Sequence, residues 1–181
     1  MMRYAVFLRA VNVGGHNKVP MPRLREIATD LGYTDVATYV QSGNLVVTAG
    51  AKKPAAVEAA VGKALHRDLN VDVDVMVRSR KEIAAVIAAN PFAKIADDPK
   101  KLHVSFLAKQ PTAAARKACD LEEFAPERFE FGDRCVYLWY PDGQGRSKMA
   151  AAPWAKRLGV LGTARNWRTV TTMLELLDTP A

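Results

Sequence analysis

Alternation of valine with polar residues between residues 71 and 78 constrains the fold more than any other feature of this chain. Every second position there is a valine, at Val71, Val73, Val75 and Val77. That spacing is the side-chain period of a β-strand. Three further strands are predicted before it, over 3–9, 35–41 and 44–49. Helices are predicted from Pro22 to Gly32 and over 54–69. The order β-α-β-β-α-β is that of the ferredoxin-like fold.

A second β-α-β-β-α series follows a helix that begins at a Ser79–Glu82 capping box and ends at Pro91. Its predicted elements are a strand over 102–108, a helix over 112–124, strands over 127–131 and 134–140, and helices over 147–158 and 167–178. The sequence therefore predicts an α+β fold with two ferredoxin-like portions, each with an antiparallel sheet. We assign residues 1–78 to the first portion and 79–181 to the second, which has an extra C-terminal helix.

The charge of the chain favours anionic partners. Lysine and arginine number 26 against 19 acidic residues, which gives a net charge of +7 and a pI near 9.5. Such a balance suits nucleic acid or phosphorylated metabolites, although solubility alone also explains it. Cys119 and Cys135 form no CxxC motif, and the three histidines have no zinc-ligand spacing. We therefore predict no metal and no cofactor, with reduced cysteines in a cytoplasmic protein. The N-terminal apolar run is too short for a signal peptide or a membrane span.

Residues 7–18 carry an unusual density of polar chemistry at the end of a predicted strand. Gly14 and Gly15 can form a concave turn whose N–H groups bind an anion. Four side chains around them suit polar or anionic partners: Arg9, Asn12, Asn17 and Lys18. The alternative is a strand-to-helix loop whose asparagines satisfy their own backbone.

A second polar segment lies between two predicted strands. Gln41 and Asn44 could bind an amide, a ribose or a base edge, with Ser42 between them. The alternative is a tight hairpin turn, for which Ser-Gly-Asn is suitable in itself. We expect this turn and the end of the first strand to lie at opposite ends of neighbouring strands. The two segments could then share a pocket only if the second half folds over the sheet.

Two further polar segments precede the predicted C-terminal helices. Residues 142–148 combine two glycines with Ser147 and Lys148, which is typical of a phosphate cradle or of a flexible turn with a capped helix. The P-loop pattern is absent. Arg165 and Trp167 flank Asn166, a suitable N-cap, at the start of the last helix. A cation at this positive helix end favours a nearby anion, either an internal carboxylate or a ligand, and Trp167 offers a stacking surface.

Several of these segments together resemble a known family. The runs 7–15, 17–21 and 38–44 closely resemble the signatures of domain-of-unknown-function family 1697. Pro91-Phe92, 104–107, Ser147-Lys148 and 165–167 follow in the expected order. The resemblance implies an α+β fold with two ferredoxin-like portions and no established activity. Ala10 is a departure, because the family more often has glycine there.

Three functions remain open from the sequence. The first is binding of a phosphate-bearing or nucleotide-like small molecule, with or without enzymatic turnover. The second is a non-catalytic binding or assembly module. The third is nucleic-acid binding, for which the aromatic signature of RNA-binding ferredoxin-like sheets is missing. No catalytic residue and no oligomeric state can be assigned.

For a ligand site, we expect Arg165→Ala and Asn44→Ala each to abolish binding while the fold stays intact. The predicted ligand-binding residues are Arg9, Asn12, Gly14, Gly15, Asn17, Lys18, Gln41, Ser42, Asn44, Ser147, Lys148, Arg165, Asn166 and Trp167.

Overall fold

The computed structural model describes residues 2–120 and 122–179. Met1, Leu121, Pro180 and Ala181 lie outside the described residues, so the predicted portions 1–78 and 79–181 and the helix over 112–124 are described without them. The chain folds as two compact units. The first comprises the residues up to Ala84 and those from Thr171 onward, and the second comprises Ala85–Val170. The sequence-based boundary after residue 78 stays a prediction.

The first unit has one four-stranded antiparallel sheet in the strand order β2-β3-β1-β4. Its elements are β1 (Arg3–Leu8), α1 (Met21–Asp30), β2 (Thr34–Tyr39), β3 (Asn44–Thr48), α2 (Pro54–Leu69), β4 (Val75–Ser79) and the start of α3 (Arg80–Ala88). This is the topology of a ferredoxin-like fold. The predicted order of elements is therefore confirmed for this half of the chain.

The core of the first unit lies between one face of this sheet and helices α1 and α2. Alternate residues of β1 point to that face: Tyr4, Val6 and Leu8. They pack with the apolar stripes of the two helices, which include Leu24, Ile27, Val57, Val61 and Leu65. Proline begins both helices, at the second residue of α1 and the first of α2, where its missing N–H leaves no hydrogen bond unmade.

Strand β4 is shorter than the alternating valines predict. Its partner β1 ends at Leu8, which pairs with Val75. Beyond that pair, Arg9 N–H donates to Asp74 O at 2.9 Å, and residues 71–74 are not part of the sheet. A period-two pattern extends a strand only as far as a neighbouring strand can pair with it.

The second unit repeats the topology of the first. Its elements are β5 (Leu102–Leu107), α4 (Ala113–Lys117), β6 (Arg128–Gly132), β7 (Cys135–Trp139), a 3₁₀ turn (Gln144–Arg146), α5 (Lys148–Ala151), α6 (Trp154–Leu158), β8 (Gly162–Asn166) and the start of α7 (Trp167–Asp178). The strand order β6-β7-β5-β8 matches that of the first sheet, with β5 in the place of β1. The two ferredoxin-like portions are thus both present.

Three sequence predictions for the second unit are wrong. The helix over 112–124 ends at Lys117, because it buries none of its residues and alanine propensity alone does not sustain a helix. The helix over 147–158 is interrupted at Pro153, which lacks the N–H that a helix interior needs. Strand β8 was missed, because Gly162-Thr163-Ala164 gives no apolar alternation. None of the helices in the described part of the chain has both the length and the apolar character that crossing a bilayer requires.

Candidate functional site

One edge of the first sheet brings together both N-terminal polar segments. Strands β1 and β3 are antiparallel, with Phe7 opposite Asn44. The end of β1 therefore lies beside the turn that precedes β3, and Leu8 N–H donates to Gly43 O at 2.9 Å. The expectation that these segments lie at opposite ends of neighbouring strands is wrong, because an antiparallel strand begins where its neighbour ends.

The connection Arg9–Pro20 between β1 and α1, which we call the N-terminal loop, folds into a small hairpin. Asn12 N–H donates to Asn17 O at 3.1 Å, and His16 N–H donates to Val13 O at 3.1 Å. Two hydrogen bonds thus close the hairpin.

Gly14 and Gly15 form the tip of this hairpin. Their φ values are 58° and 80°, and positive values at both central residues are what a type I′ turn requires. Residues 12–18 are all exposed. Within residues 2–120 and 122–179, no group accepts a hydrogen bond from the N–H of Gly14 or Gly15. Two backbone donors are therefore available to a ligand here.

The asparagine side chains brace the loop from within. Asn12 Nδ2 donates to Gln41 O at 2.8 Å and to Val19 O at 2.9 Å, while its Oδ1 accepts from Val19 N–H at 2.8 Å. Asn17 Nδ2 donates to Ala10 O at 3.2 Å. These contacts agree with the alternative in which asparagines satisfy local backbone groups. A ligand-binding role for Asn12 and Asn17 stays a prediction.

The β2–β3 turn is packed tightly against the start of the N-terminal loop. Asn44 is fully buried, and its Nδ2 donates to Tyr39 O at 3.1 Å. Gly43 has a φ of 70°, and a Cβ there would lie 2.6 Å from Val11 Cγ2 and 2.7 Å from Leu8 Cβ. Only glycine fits this position. The residues that this turn exposes are Val40, Gln41 and Ser42.

Left-handed backbone is concentrated in these two segments. Of seven described non-glycine residues with positive φ, four lie here: Ala10, Asn12, Asn17 and Val40. Val40, at φ 50°, is a β-branched residue for which this conformation is an outlier. Ala10, at φ 53°, occupies the position at which glycine is more usual in the family that the sequence resembles. Backbone strain of this kind concentrates at functional sites.

Charged side chains and an open cleft lie on the same edge. Arg9 Nη1 is 3.4 Å from Asp74 Oδ2, and both side chains remain more than a third exposed. Lys18 is exposed and has no ion pair with any residue that the structure describes. Beside Asp74 is an open cleft of about 530 Å³, where His66 Nδ1 lies 2.8 Å from Asp72 Oδ1. No motif in the sequence indicates this cleft, because Asp72 and Asp74 lie within the stretch whose alternating pattern predicts a strand.

The second unit closes the equivalent connection with far fewer residues. Twelve residues separate β1 from α1, whereas five, Ala108–Thr112, separate β5 from α4. Gln110 makes the same kind of brace there as Asn12 does in the first unit. Its Oε1 accepts from Arg134 N–H at 2.6 Å, and its Nε2 donates to Gly132 O at 3.4 Å. The topology therefore does not require the longer loop.

The predicted residues at the end of β8 are mainly engaged within the second unit. Arg165 is 8% exposed, and its Nη1 donates to Thr163 Oγ1 at 2.7 Å and to Ala164 O at 2.8 Å. Burial lowers the pKa of Arg165 from its usual value to about 10. Asn166 Oδ1 accepts from Thr169 N–H at 2.9 Å, which confirms its predicted role as an N-cap. A ligand role for Arg165 and Asn166 stays a prediction.

Trp167 lies at a different place in the second unit from Ser147 and Lys148. It contributes one wall of a cavity of about 260 Å³ that is otherwise lined mainly by alanine, isoleucine, leucine and proline. Ser147 and Lys148 line a larger cleft of about 590 Å³. Ser147 Oγ accepts from Ala150 N–H at 2.8 Å, which confirms the predicted helix cap.

His103 differs from the satisfied structural histidine that its strand position suggests. It is 7% exposed on β5, and its ring lies edge-on to Tyr140 with centroids 5.2 Å apart. Its Nδ1 is buried and has no hydrogen-bond partner among the described residues. Burial lowers the pKa of His103 from 6.5 to about 4. This histidine is therefore neutral in the folded protein at physiological pH.

The chain is similar in fold to a solved bacterial protein. That protein is described as conserved bacterial protein SP0830 from Streptococcus pneumoniae, and the match covers 97% of this chain and 98% of that one. The TM-score is 0.74 at 22% sequence identity, so the likeness concerns the fold alone. No curated protein matches the chain.

The family described as "Protein of unknown function (DUF1697)" matches residues 1–137. That range contains the N-terminal loop and the β2–β3 turn, and it ends before Ser147-Lys148 and residues 165–167. The chain belongs to this family of unknown function, DUF1697.

Proposed function

We propose that the N-terminal loop and the β2–β3 turn bind a phosphate-bearing or nucleotide-like small molecule. One observation carries this proposal. The loop has twelve residues where the second unit completes the same topology with five. The added length is exposed, so burial of apolar surface does not explain it.

The chemistry of the added residues suits an anionic group. Gly14 and Gly15 offer exposed N–H donors without acceptors among the described residues. Lys18 adds a positive charge at the base of the same hairpin, and no residue of 2–120 or 122–179 forms an ion pair with it. Backbone amides together with a lysine form a common kind of phosphate site. Gln41 is exposed on the adjacent turn and supplies an amide for a sugar or base.

The site of action that we propose is the cytoplasm. Cys119 and Cys135 are both free thiols, as expected of a protein in a reducing compartment. Nucleic-acid binding and a non-catalytic assembly role remain the alternatives, and salt dependence distinguishes the first of them.

Calorimetric titration with AMP and with ribose 5-phosphate tests the proposal. Lys18→Ala should weaken binding about tenfold, because a charge-assisted contact contributes roughly 1.5 kcal/mol or more. Lys109→Ala is the matched control, since Lys109 is an exposed lysine in the shorter equivalent loop of the second unit. Its affinity should equal that of the wild type. Equal affinities for both variants, or no heat with either ligand, would refute the proposal.

Asn44 and Arg165 are unsuitable for this test. Their exposed fractions are 0% and 8%, so alanine at either position disturbs packing before it reports on binding. A short single-stranded RNA provides the contrasting measurement. Affinity that is higher for RNA than for AMP and falls steeply with salt would favour nucleic-acid binding instead.

A further inference from the structure

The connection between β7 and β8 in the second unit differs from the equivalent connection in the first unit. In the first unit, β3 and β4 are joined through one continuous helix of 16 residues, α2. In the second unit, 22 residues join β7 to β8, and they form three short helical pieces instead of one. Pro153 and two glycines, Gly143 and Gly145, disfavour a continuous helix there.

The broken connection borders the cleft of about 590 Å³. A cleft of this volume is within the usual range for small-molecule sites. Two of its carboxylates are already engaged. Glu123 accepts two hydrogen bonds from Arg157, at 2.5 and 2.6 Å, and Glu127 Oε2 accepts from Met149 N–H at 3.1 Å.

Three further lining charges make no such contact: Asp142, Arg146 and Lys148. All three are exposed, and none has an ion pair or a side-chain hydrogen bond with the part of the chain described here. Opposite charges on one cleft favour a ligand that itself carries both signs. A simple anion would meet the negative charge of Asp142, and a simple cation would meet two positive charges.

One wall of the cleft is apolar. Ala125 and Pro126 are exposed on it, and Phe124 lies at 7% exposure next to them. The ring of Phe124 packs against Trp154, with centroids 6.0 Å apart. The tryptophan is therefore placed to report on events at this wall.

We propose that this cleft binds an apolar α-amino acid. Its carboxylate lies at Arg146 and Lys148, its ammonium group at Asp142, and its side chain against Ala125 and Pro126. This site is independent of the phosphate site proposed for the first unit, because all of its residues belong to the second unit.

The test compares L-phenylalanine with 3-phenylpropionate, which has the same ring and carboxylate but no ammonium group. Binding is followed by tryptophan fluorescence and by the amide resonances of Gly143 and Gly145. The wild type should bind L-phenylalanine about fivefold more tightly than 3-phenylpropionate. This factor corresponds to about 1 kcal/mol for an exposed ion pair. Asp142→Asn should remove this preference, and it should leave AMP binding at the first unit unchanged.

Asp133→Asn is the matched control, because Asp133 is an exposed aspartate of the second unit that does not line the cleft. It should keep the wild-type preference. Equal affinity of the wild type for both compounds, a preference that persists in Asp142→Asn, or no response to either compound would each overturn the proposal. An effect of Asp142→Asn on 3-phenylpropionate should be a gain in affinity, since a repulsive charge is removed.

Discussion

Replacing Gly43 with alanine tests whether the β2–β3 turn anchors the N-terminal loop. At this position a Cβ would lie 2.6 Å from Val11 Cγ2 and 2.7 Å from Leu8 Cβ. Carbon atoms in good contact are about 3.5–4.0 Å apart, so something must move. Gly15→Ala is the matched control. Gly15 also has a positive φ, 80°, but a Cβ there would have no atom within 4 Å.

The two substitutions share one cost and differ in another. Left-handed backbone costs an alanine about 1–2 kcal/mol, and this applies to both positions. Forcing an extra carbon into a packed region adds about 1–3 kcal/mol, and this applies to Gly43 alone. Gly15→Ala should therefore lower the free energy of unfolding by about 1–2 kcal/mol, and Gly43→Ala by about 2–5 kcal/mol.

Urea unfolding followed by circular dichroism measures both losses. The difference between the variants, rather than either loss alone, reports on the close approach of the turn to Val11 and Leu8. Equal losses would show that the β2–β3 turn does not anchor the N-terminal loop, because the two could then separate without cost. The N-terminal loop would then lack the fixed base that a binding site needs.

Three further predictions concern the stability of each unit. His103 takes up a proton near pH 6.5 in the unfolded chain but only near pH 4 in the folded protein. As the pH is lowered from 6.5 to 4, the free energy of unfolding should therefore fall by up to about 1.4 kcal/mol per pH unit. Urea unfolding midpoints measured across this pH range should show this decrease in the wild type and not in His103→Phe. Asn12→Ala should lower the free energy of unfolding by about 1–3 kcal/mol and speed amide hydrogen exchange at Val19. Asn17→Ala removes one hydrogen bond, so it should lower the free energy of unfolding by less. Arg165→Ala should lower the free energy of unfolding, measured by thermal unfolding, by about 2–4 kcal/mol. Arg165→Met should lower it by less, because methionine keeps more of the buried side-chain volume.

The order of elements in the first unit could be predicted because its signals are local. The valines from Val71 onward, the helix of 54–69 and the Ser79–Glu82 capping box each depend on nearby residues. The signals failed where tertiary context decides. The residues around Val73 alternate perfectly, yet the strand begins only at Val75, because β1 offers no partner earlier.

The candidate site was predicted in composition but not in arrangement. The residue types of the N-terminal loop predict anion binding, and residues 12–18 of the loop are exposed. Local backbone contacts of the asparagines were one alternative from the sequence, and the bond from Asn12 to Val19 O is of that kind. No local pattern reveals that the same amide also donates to Gln41 O, because that contact joins two separate segments. The antiparallel pairing of β1 with β3 places the two segments together, and the expectation of opposite ends did not follow from the antiparallel sheet that the sequence itself predicts.

The most direct test of phosphate binding by the N-terminal loop is an NMR titration of the ¹⁵N-labelled protein with AMP. Binding at this loop should shift the amide resonances of Gly14, Gly15 and Lys18 and saturate them together, while the resonance of Lys109 in the shorter loop should not move. Resonances of the N-terminal loop that stay in place at saturating AMP, or that shift no more than Lys109 does, would contradict it.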